Sequence, residues 1–160
     1  MDKAIDIAAN ELRFRATIRR RYGNVPPVLG NAGRLSQVFL NLVVNAAHAI
    51  GSAGTGRGLI RVRTHVDGDH VVVAVADSGT GIPPEVAKKV FEPFFTTKDV
   101  GVGTGQGLAL CWSLVVERHD GSIDFETRPG VGTTFTVRLP VHGHDTRAPA
   151  SSTEMAGSAR

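Results

Sequence analysis

Leu35-Ser-Gln-Val-Phe-Leu-Asn41-Leu-Val-Val-Asn45-Ala-Ala-His48-Ala-Ile50 is the stretch that decides how this chain folds. Leu35, Val38, Phe39, Leu42, Val43, Ala46, Ala49 and Ile50 follow the helical period, so they make one apolar face. Residues three and four apart stack along a helix, which puts Asn41, Asn45 and His48 on an adjacent polar stripe. Two neutral amides there are either ordinary surface residues or hard oxygen donors of the kind magnesium accepts. Asn31 is placed to cap the helix, and the glycine-rich segment 51–58 ends it.

Outward from this helix, extended and helical patterns alternate. Residues 4–12 read as a short helix. Residues 14–20 set Phe14, Ala16 and Ile18 against Arg15, Thr17 and Arg19, a strand pattern. The run Arg19-Arg20-Arg21 is the densest basic patch, either a solvated strand face or a partner contact. On the other side, Ile60, Val62, Thr64 and Val66 alternate with Arg61, Arg63 and His65, a strand with one wet face. Asp67-Gly68-Asp69 is turn chemistry. Residues 71–76 form an unbroken apolar, β-branched run, a central strand expected to be buried on both faces and to deliver Asp77 at its end. A short helix is expected near 85–91, and Leu108, Cys111, Trp112, Val115 and Val116 mark another, opened by glycines. Residues 122–127 and 133–139 are two strands joined by the hairpin Arg128-Pro-Gly-Val-Gly132.

These elements predict an α/β (α+β) two-layer sandwich, a mixed and mostly antiparallel sheet with helices on one face. Residues 1–140 would form the domain. Residues 141–160, rich in Ala, Ser, Thr and Gly, read as a linker or disordered tail. A length of 160 residues suffices for one domain with a real core. The net charge of +3 suits a polyanionic ligand without arguing for nucleic acid. One cysteine, Cys111, excludes an internal disulfide and a cysteine-based zinc cluster. The apolar stretches are too short to span a bilayer and no signal peptide opens the chain, so a cytoplasmic location is expected, alone or as part of a membrane receptor.

The glycines narrow the chemistry. A dinucleotide fingerprint starting at Gly101 meets Gln106 at its last glycine position, and one starting at Gly103 meets Leu108. No lysine follows a glycine, so there is no P-loop, and no His-Arg-Asp loop accompanies the glycines. Gly103-Thr104-Gly105-Gln106-Gly107 running into a helix is either a flexible loop or a cradle of backbone amides for phosphate. Asp77-Ser-Gly79-Thr-Gly81 is either a simple turn or a carboxylate aimed at an exocyclic amine, beside glycines that admit a flat ring. In this order and spacing, the segments together suit magnesium, adenine and a triphosphate.

Over residues 4–140 the chain resembles the catalytic ATP-binding domain of bacterial sensor histidine kinases, a branch of the Bergerat-fold group that also holds gyrase, heat-shock chaperone and mismatch-repair ATPases. Residues 37–47 match the N box, 77–83 the first glycine box, 91–98 the F box of a mobile ATP lid, and 103–110 the second glycine box. Gly130-Val-Gly132-Thr133-Thr-Phe135 resembles the closing strand. The resemblance implies that Asn45 ligates Mg2+, with Asn41 nearby on phosphate or metal. Asp77 would bind the adenine amino group, with Gly79, Gly81, Ile82 and Thr133 around the base. Lys98, Gly103, Thr104, Gly105, Gln106, Gly107 and Leu108 would face the nucleotide from the lid and second glycine box. Phe91, Phe94 and Phe95 would anchor the lid. His48 stands where many relatives place a basic residue, and either reaches phosphate or is a surface histidine.

Gyrase-like ATPases and anti-sigma serine kinases carry a glutamate at the position of Asn41, where a carboxylate acts as general base. Asn41 cannot take a proton at neutral pH, so no residue of the chain is expected to act as a general base. The resemblance therefore implies transfer of the γ-phosphoryl group of ATP to a histidine. Of six histidines only His119 and His144 precede an acid, and neither lies in the two-helix hairpin the family phosphorylates. The acceptor is expected on a dimerisation/phosphoacceptor domain of the same or another chain, with a response regulator receiver domain downstream. No nucleic acid and no direct membrane insertion are expected. A non-catalytic ATP-binding module and a gyrase-like hydrolase are the alternatives.

Overall fold

The computed structural model describes residues 1–8, 12, 15–54, 56–93, 95 and 105–142. The elements follow the chain as α1 (Asp2–Ile7), β1 (Ala16–Tyr22), α2 (Ala32–Ala53), β2 (Gly58–Asp67), β3 (His70–Asp77), α3 (Pro84–Ala87), α4 (Gly107–Trp112), β4 (Ser122–Arg128) and β5 (Gly132–Pro140). The strands form one five-stranded sheet in the order β1-β2-β3-β5-β4. Among the described residues only β1 and β2 pair in parallel, joined through the crossover that contains α2. The other three pairings are antiparallel. This is the mixed, mostly antiparallel α/β sandwich that the pattern predicts.

The long helix forms as its periodicity requires. Val38, Phe39, Leu42, Val43, Ala46, Ala47 and Ile50 are buried along α2. Each larger side chain among them contributes on the order of 1.5–3 kcal/mol by leaving water. Asn31 caps the helix, its side-chain oxygen accepting from the Arg34 amide at 3.0 Å. Gly54 ends it in the left-handed conformation, φ 65°. Against this helix pack Ala4 and Ile5 of α1, Cys111 of α4, and the inward residues Ile60, Val62, Val71, Val73, Val75, Phe135, Val137 and Leu139.

Three local expectations shift. α1 begins at Asp2 rather than residue 4. β1 begins at Ala16 and runs to Tyr22, because its parallel ladder with β2 extends from Ala16–Gly58 to Tyr22–Thr64. The expected start of that strand, Phe14, lies outside the described residues. The two-faced burial expected of β3 holds only at Val72, 2% exposed, since the helices cover one face and the outward Ala74 and Ala76 stay half-buried.

α4 continues through a π-helical turn over Ser113–Glu117, where the Ser113 hydroxyl donates to the Glu117 carboxylate. Five residues separate His119 from Leu114, and the wider turn leaves the Leu114 carbonyl 2.6 Å from His119 Nδ1. His119 Nε2 accepts from the Asn31 amide at 3.1 Å. An accepting Nε2 places the ring proton on Nδ1, which then donates to Leu114. His119 thus fastens the end of the α4 helix to the start of α2. Cys111 is a buried structural thiol, its Sγ 3.6 Å from the Val38 carbonyl and its pKa pushed up to about 12 by burial.

Candidate functional site

β3 is buried because its alternate valines face α2, and its last residue, Asp77, continues that inward alternation at the sheet end. Asp77 Oδ1 accepts from the Gly79 amide at 2.8 Å and from the Thr133 amide at 3.3 Å. Burial pushes its pKa above the ordinary carboxylate value, and the two amide hydrogen bonds offset part of that rise. The carboxylate is therefore oriented by backbone through one oxygen.

The loop after Asp77 lies on α2 and the β4–β5 hairpin. The Thr80 amide donates to the Ala49 carbonyl at 3.3 Å, and the Thr80 carbonyl accepts from the Gly130 amide at 2.7 Å. A Cβ on Gly79 would stand 2.6 Å from the Ala49 carbonyl carbon. Gly81 has φ 70°, and its Cβ direction points at the Arg128 backbone. Both glycines therefore serve close approach of backbone to backbone within the protein.

Thr127, which the motifs do not mark, ties this corner together. Its Oγ1 accepts from the Ile82 amide at 2.8 Å and lies 3.0 Å from Thr133 Oγ1. Thr127 and Thr133 are direct partners across the β4–β5 ladder. That pairing, readable from the hairpin's symmetry, was the signal for it. Thr133 is 5% exposed. Ile82 is partly buried against the core.

At the other side of α2's polar stripe, Asn41 Nδ2 donates to the Gly107 carbonyl at 3.3 Å. A Cβ on Gly107 would stand 3.9 Å from Asn45 Nδ2 and 4.0 Å from Asn41 Cγ. The two asparagines thus flank the first residue of α4, where backbone amides begin a helix. Gly105 has φ 65°, the left-handed conformation that glycine tolerates before such a start. Gln106 accepts through its carbonyl from the Leu110 amide at 2.9 Å, leaving its side chain out of the helix ladder. Leu108 packs against the core. His48 is half-buried one turn beyond Asn45.

Phe91 meets Phe125 edge-on at 5.9 Å and Phe135 at 6.5 Å between ring centroids, which anchors the start of the segment that follows. Phe95 is half-buried, its amide 3.3 Å from the Glu92 carbonyl. Phe94, Lys98, Gly103 and Thr104 lie outside the described residues. Asp77, Gly79, Gly81, Ile82 and Thr133 meet at one corner, and Asn41, Asn45 and Gly107 meet at another, α2 running between them. A hollow of about 320 Å³ opens on the outer side of the first corner, lined by Asp77, Thr127 and Thr133 together with outward residues of β2, β4 and β5. It borders the Asp77 corner and does not reach the polar groups of α2 and α4.

Among the described residues no cluster of three His, Cys, Asp or Glu could hold a metal ion. The oxygen donors on the stripe are amides. Magnesium retains waters and phosphate oxygens in its shell, so one amide oxygen beside a bound triphosphate fits its donor preference.

Residues 30–143 match the family model described as histidine kinase-, DNA gyrase B-, and HSP90-like ATPase. The chain is 49% identical over 111 residues to the sensor histidine kinase ZraS of Klebsiella oxytoca, covering 69% of this chain and 22% of the relative. It therefore spans about a fifth of that relative's length. The catalytic domain of histidine kinase ThkA superposes with a TM-score of 0.74 at 32% identity, covering 88% of this chain and 89% of that one. ThkA has also been solved in complex with response regulator protein TrrA, matching at TM-score 0.70 and 29% identity over 88% of this chain and 39% of that one. Full-length ShkA in complex with AMPPNP matches at TM-score 0.74 and 26% identity over 89% of this chain and 29% of that one. No helix among the described residues is long and apolar enough to cross a membrane.

Proposed function

This chain belongs to the family of histidine kinase-, DNA gyrase B- and HSP90-like ATPases, and from that premise we propose that it binds Mg-ATP and passes the γ-phosphoryl group to a histidine on a separate phosphoacceptor domain. The observation that carries the reading is the Asn41–Gly107 hydrogen bond. It brings the N box and the second glycine box together through a side chain that cannot act as a base.

In this reading adenine sits over the loop after β3. Asp77 Oδ1 is taken by two backbone amides, so the second carboxylate oxygen accepts from the adenine amino group. Thr133 and Thr127 hold that corner in place. The triphosphate runs along the asparagine stripe to the amides at Gly105 and Gly107, where a helix start favours negative charge. His48, Gln106, Leu108 and, from the lid, Lys98, Gly103 and Thr104 complete the pocket. Asn45 would hold Mg2+ together with the phosphates, and the bound cation would neutralise charge that develops on the transferring group.

The chain supplies position rather than proton transfer. The attacking imidazole is itself a nucleophile and needs no base from α2. His119 is 8% exposed with both ring nitrogens engaged, which supports an acceptor outside this domain. By analogy with ThkA and TrrA, a response regulator receiver domain would take the phosphoryl group next. Residues 1–140 would form the folded unit and residues 141–160 a linker, within the cytoplasmic part of a longer sensor kinase.

The test uses γ-labelled ATP and magnesium, with and without the dimerisation–phosphoacceptor region of the protein containing this domain. Acid-labile, alkali-stable label on that region is the expected result. Tight nucleotide binding with no transfer to a verified acceptor histidine makes the domain a binding module. Steady phosphate release by the domain alone makes it a hydrolase.

A further inference from the structure

We propose that the outer face of β1 and β2 is a docking surface for an acidic protein segment that carries an apolar anchor. Ile60 and Val62 of β2 are fully buried toward the helices, so Arg61 and Arg63 point to the opposite face. The parallel register sets Arg19 opposite Arg61 and Arg21 opposite Arg63. All four side chains are exposed. Among the described residues, none of the four has an ion pair or side-chain hydrogen bond.

Two other strand arginines are paired within the fold. Arg20 meets Asp2 at 3.0 Å and Asp6 at 3.8 Å, and Arg138 meets Asp67 at 2.6 Å. Like charges set directly opposite each other on a sheet are destabilising. Four such guanidiniums held in register, unneutralised among the described residues, fit the planar, bidentate recognition of carboxylates.

The hollow of about 320 Å³ between these arginines and the Asp77 corner supplies the second part of the surface. Arg61 forms one wall and Glu126 the opposite one, over a floor of Ala76 and Thr134. Leu59 and Val131 line it with apolar surface, and Val131 is 65% exposed. An apolar side chain seated there leaves flanking carboxylates within reach of the arginines.

The occupant is protein rather than a lipid plane or a nucleic-acid backbone. Asp124 and Glu126 stand on the same outer face of β4. Three strand spacings separate β4 from β2, about 14 Å. A continuous anionic surface laid over the arginines would meet those two carboxylates as well. A folded or extended protein segment places its acids selectively.

The experiment is fluorescence anisotropy of a labelled Glu-Glu-Glu-Leu-Glu-Glu-Glu peptide titrated with the full chain at low and physiological salt. Binding is expected, weaker at higher salt and weaker when the peptide's leucine is serine. The double variants Arg61→Glu/Arg63→Glu and Arg19→Glu/Arg21→Glu are each expected to weaken it at least about tenfold, whereas Arg34→Glu on α2 stays within about twofold. Melting temperature and nucleotide affinity serve as controls, since each double variant creates cross-strand Arg–Glu pairs in place of Arg–Arg pairs. No binding of the peptide, or equal affinity across all variants, overturns the proposal. So does arginine-dependent retention on phosphatidylglycerol vesicles that the peptide does not displace.

Discussion

The side-chain amide of Asn41 donates to the Gly107 carbonyl across 3.3 Å, fastening the middle of α2 to the first residue of α4. Asn41→Asp keeps the size and removes the donor, leaving a carboxylate facing a carbonyl oxygen. Affinity for Mg-ATP is expected to fall about tenfold, the scale of one lost hydrogen bond to a binding element. Isothermal titration calorimetry on the two proteins measures it. Adenosine affinity should change far less, because the adenine corner does not include Asn41.

Asp77→Asn separates binding from stability. The amide oxygen keeps accepting from Gly79 and Thr133, while an NH2 group replaces the acceptor proposed for the adenine amino group. ATP binding is expected to be lost with the fold intact. Burial raises the folded-state pKa of Asp77, so its contribution to stability is present below the unfolded carboxylate pKa and lost as pH rises through the raised value. The Asn variant lacks that penalty. Its melting temperature relative to the parent should therefore rise between pH 3 and neutrality, read by differential scanning calorimetry across about pH 3–7.

Gly79→Ala tests how the loop after β3 is seated. Its Cβ would stand 2.6 Å from the Ala49 carbonyl carbon, a backbone atom near the C-terminal end of α2. Either the loop or the helix must move. The expected cost is about 1–3 kcal/mol of stability by urea unfolding, with ATP affinity falling because Asp77 moves with the loop.

His119→Ala removes the joint between the far ends of the same two helices. It leaves the Asn31 amide and the Leu114 carbonyl without their partner. A loss of about 1–3 kcal/mol by urea unfolding is expected, the scale of one orphaned group kept from water, since the exposed Asn31 amide can turn to solvent. Incubating the parent chain alone with Mg-ATP should place no acid-labile phosphate on His119.

The elements that were legible in sequence are those set by repeated side-chain contrast. Six of the seven buried positions of α2 and the alternation of β2 follow from burial on one face, and the Asn31 cap from local chemistry, whereas Ala47 is buried outside the expected stripe and Leu35 and Ala49 are only half-buried. The start of β1 was not legible, because a ladder with β2, 36 or more residues away in sequence, fixes it. Nor was the π turn in α4, which depends on where His119 finds its carbonyl. In the candidate site, Asp77, Gly79, Gly81, Ile82 and Thr133 meet at one corner and Asn41, Asn45 and Gly107 at another. Thr127 carries no motif mark of its own, and only the symmetry of the 128–132 hairpin, which sets it opposite Thr133, could have pointed to it. The glycines after Asp77 were read for what they would admit, and their nearest neighbours turned out to be the protein's own backbone.

The account turns on nucleotide lying between Asp77 and the Asn41–Asn45–Gly107 cluster. A crystal structure of this chain with magnesium and a non-hydrolysable ATP analogue tests it most directly. The predicted result is an adenine amino group within hydrogen-bonding distance of the Asp77 carboxylate and Mg2+ about 2.0–2.1 Å from an Asn45 side-chain oxygen. Nucleotide bound on the outer face between Arg61 and Glu126, or at the α2–α4 cluster, in either case without contact to the Asp77 carboxylate, would contradict it.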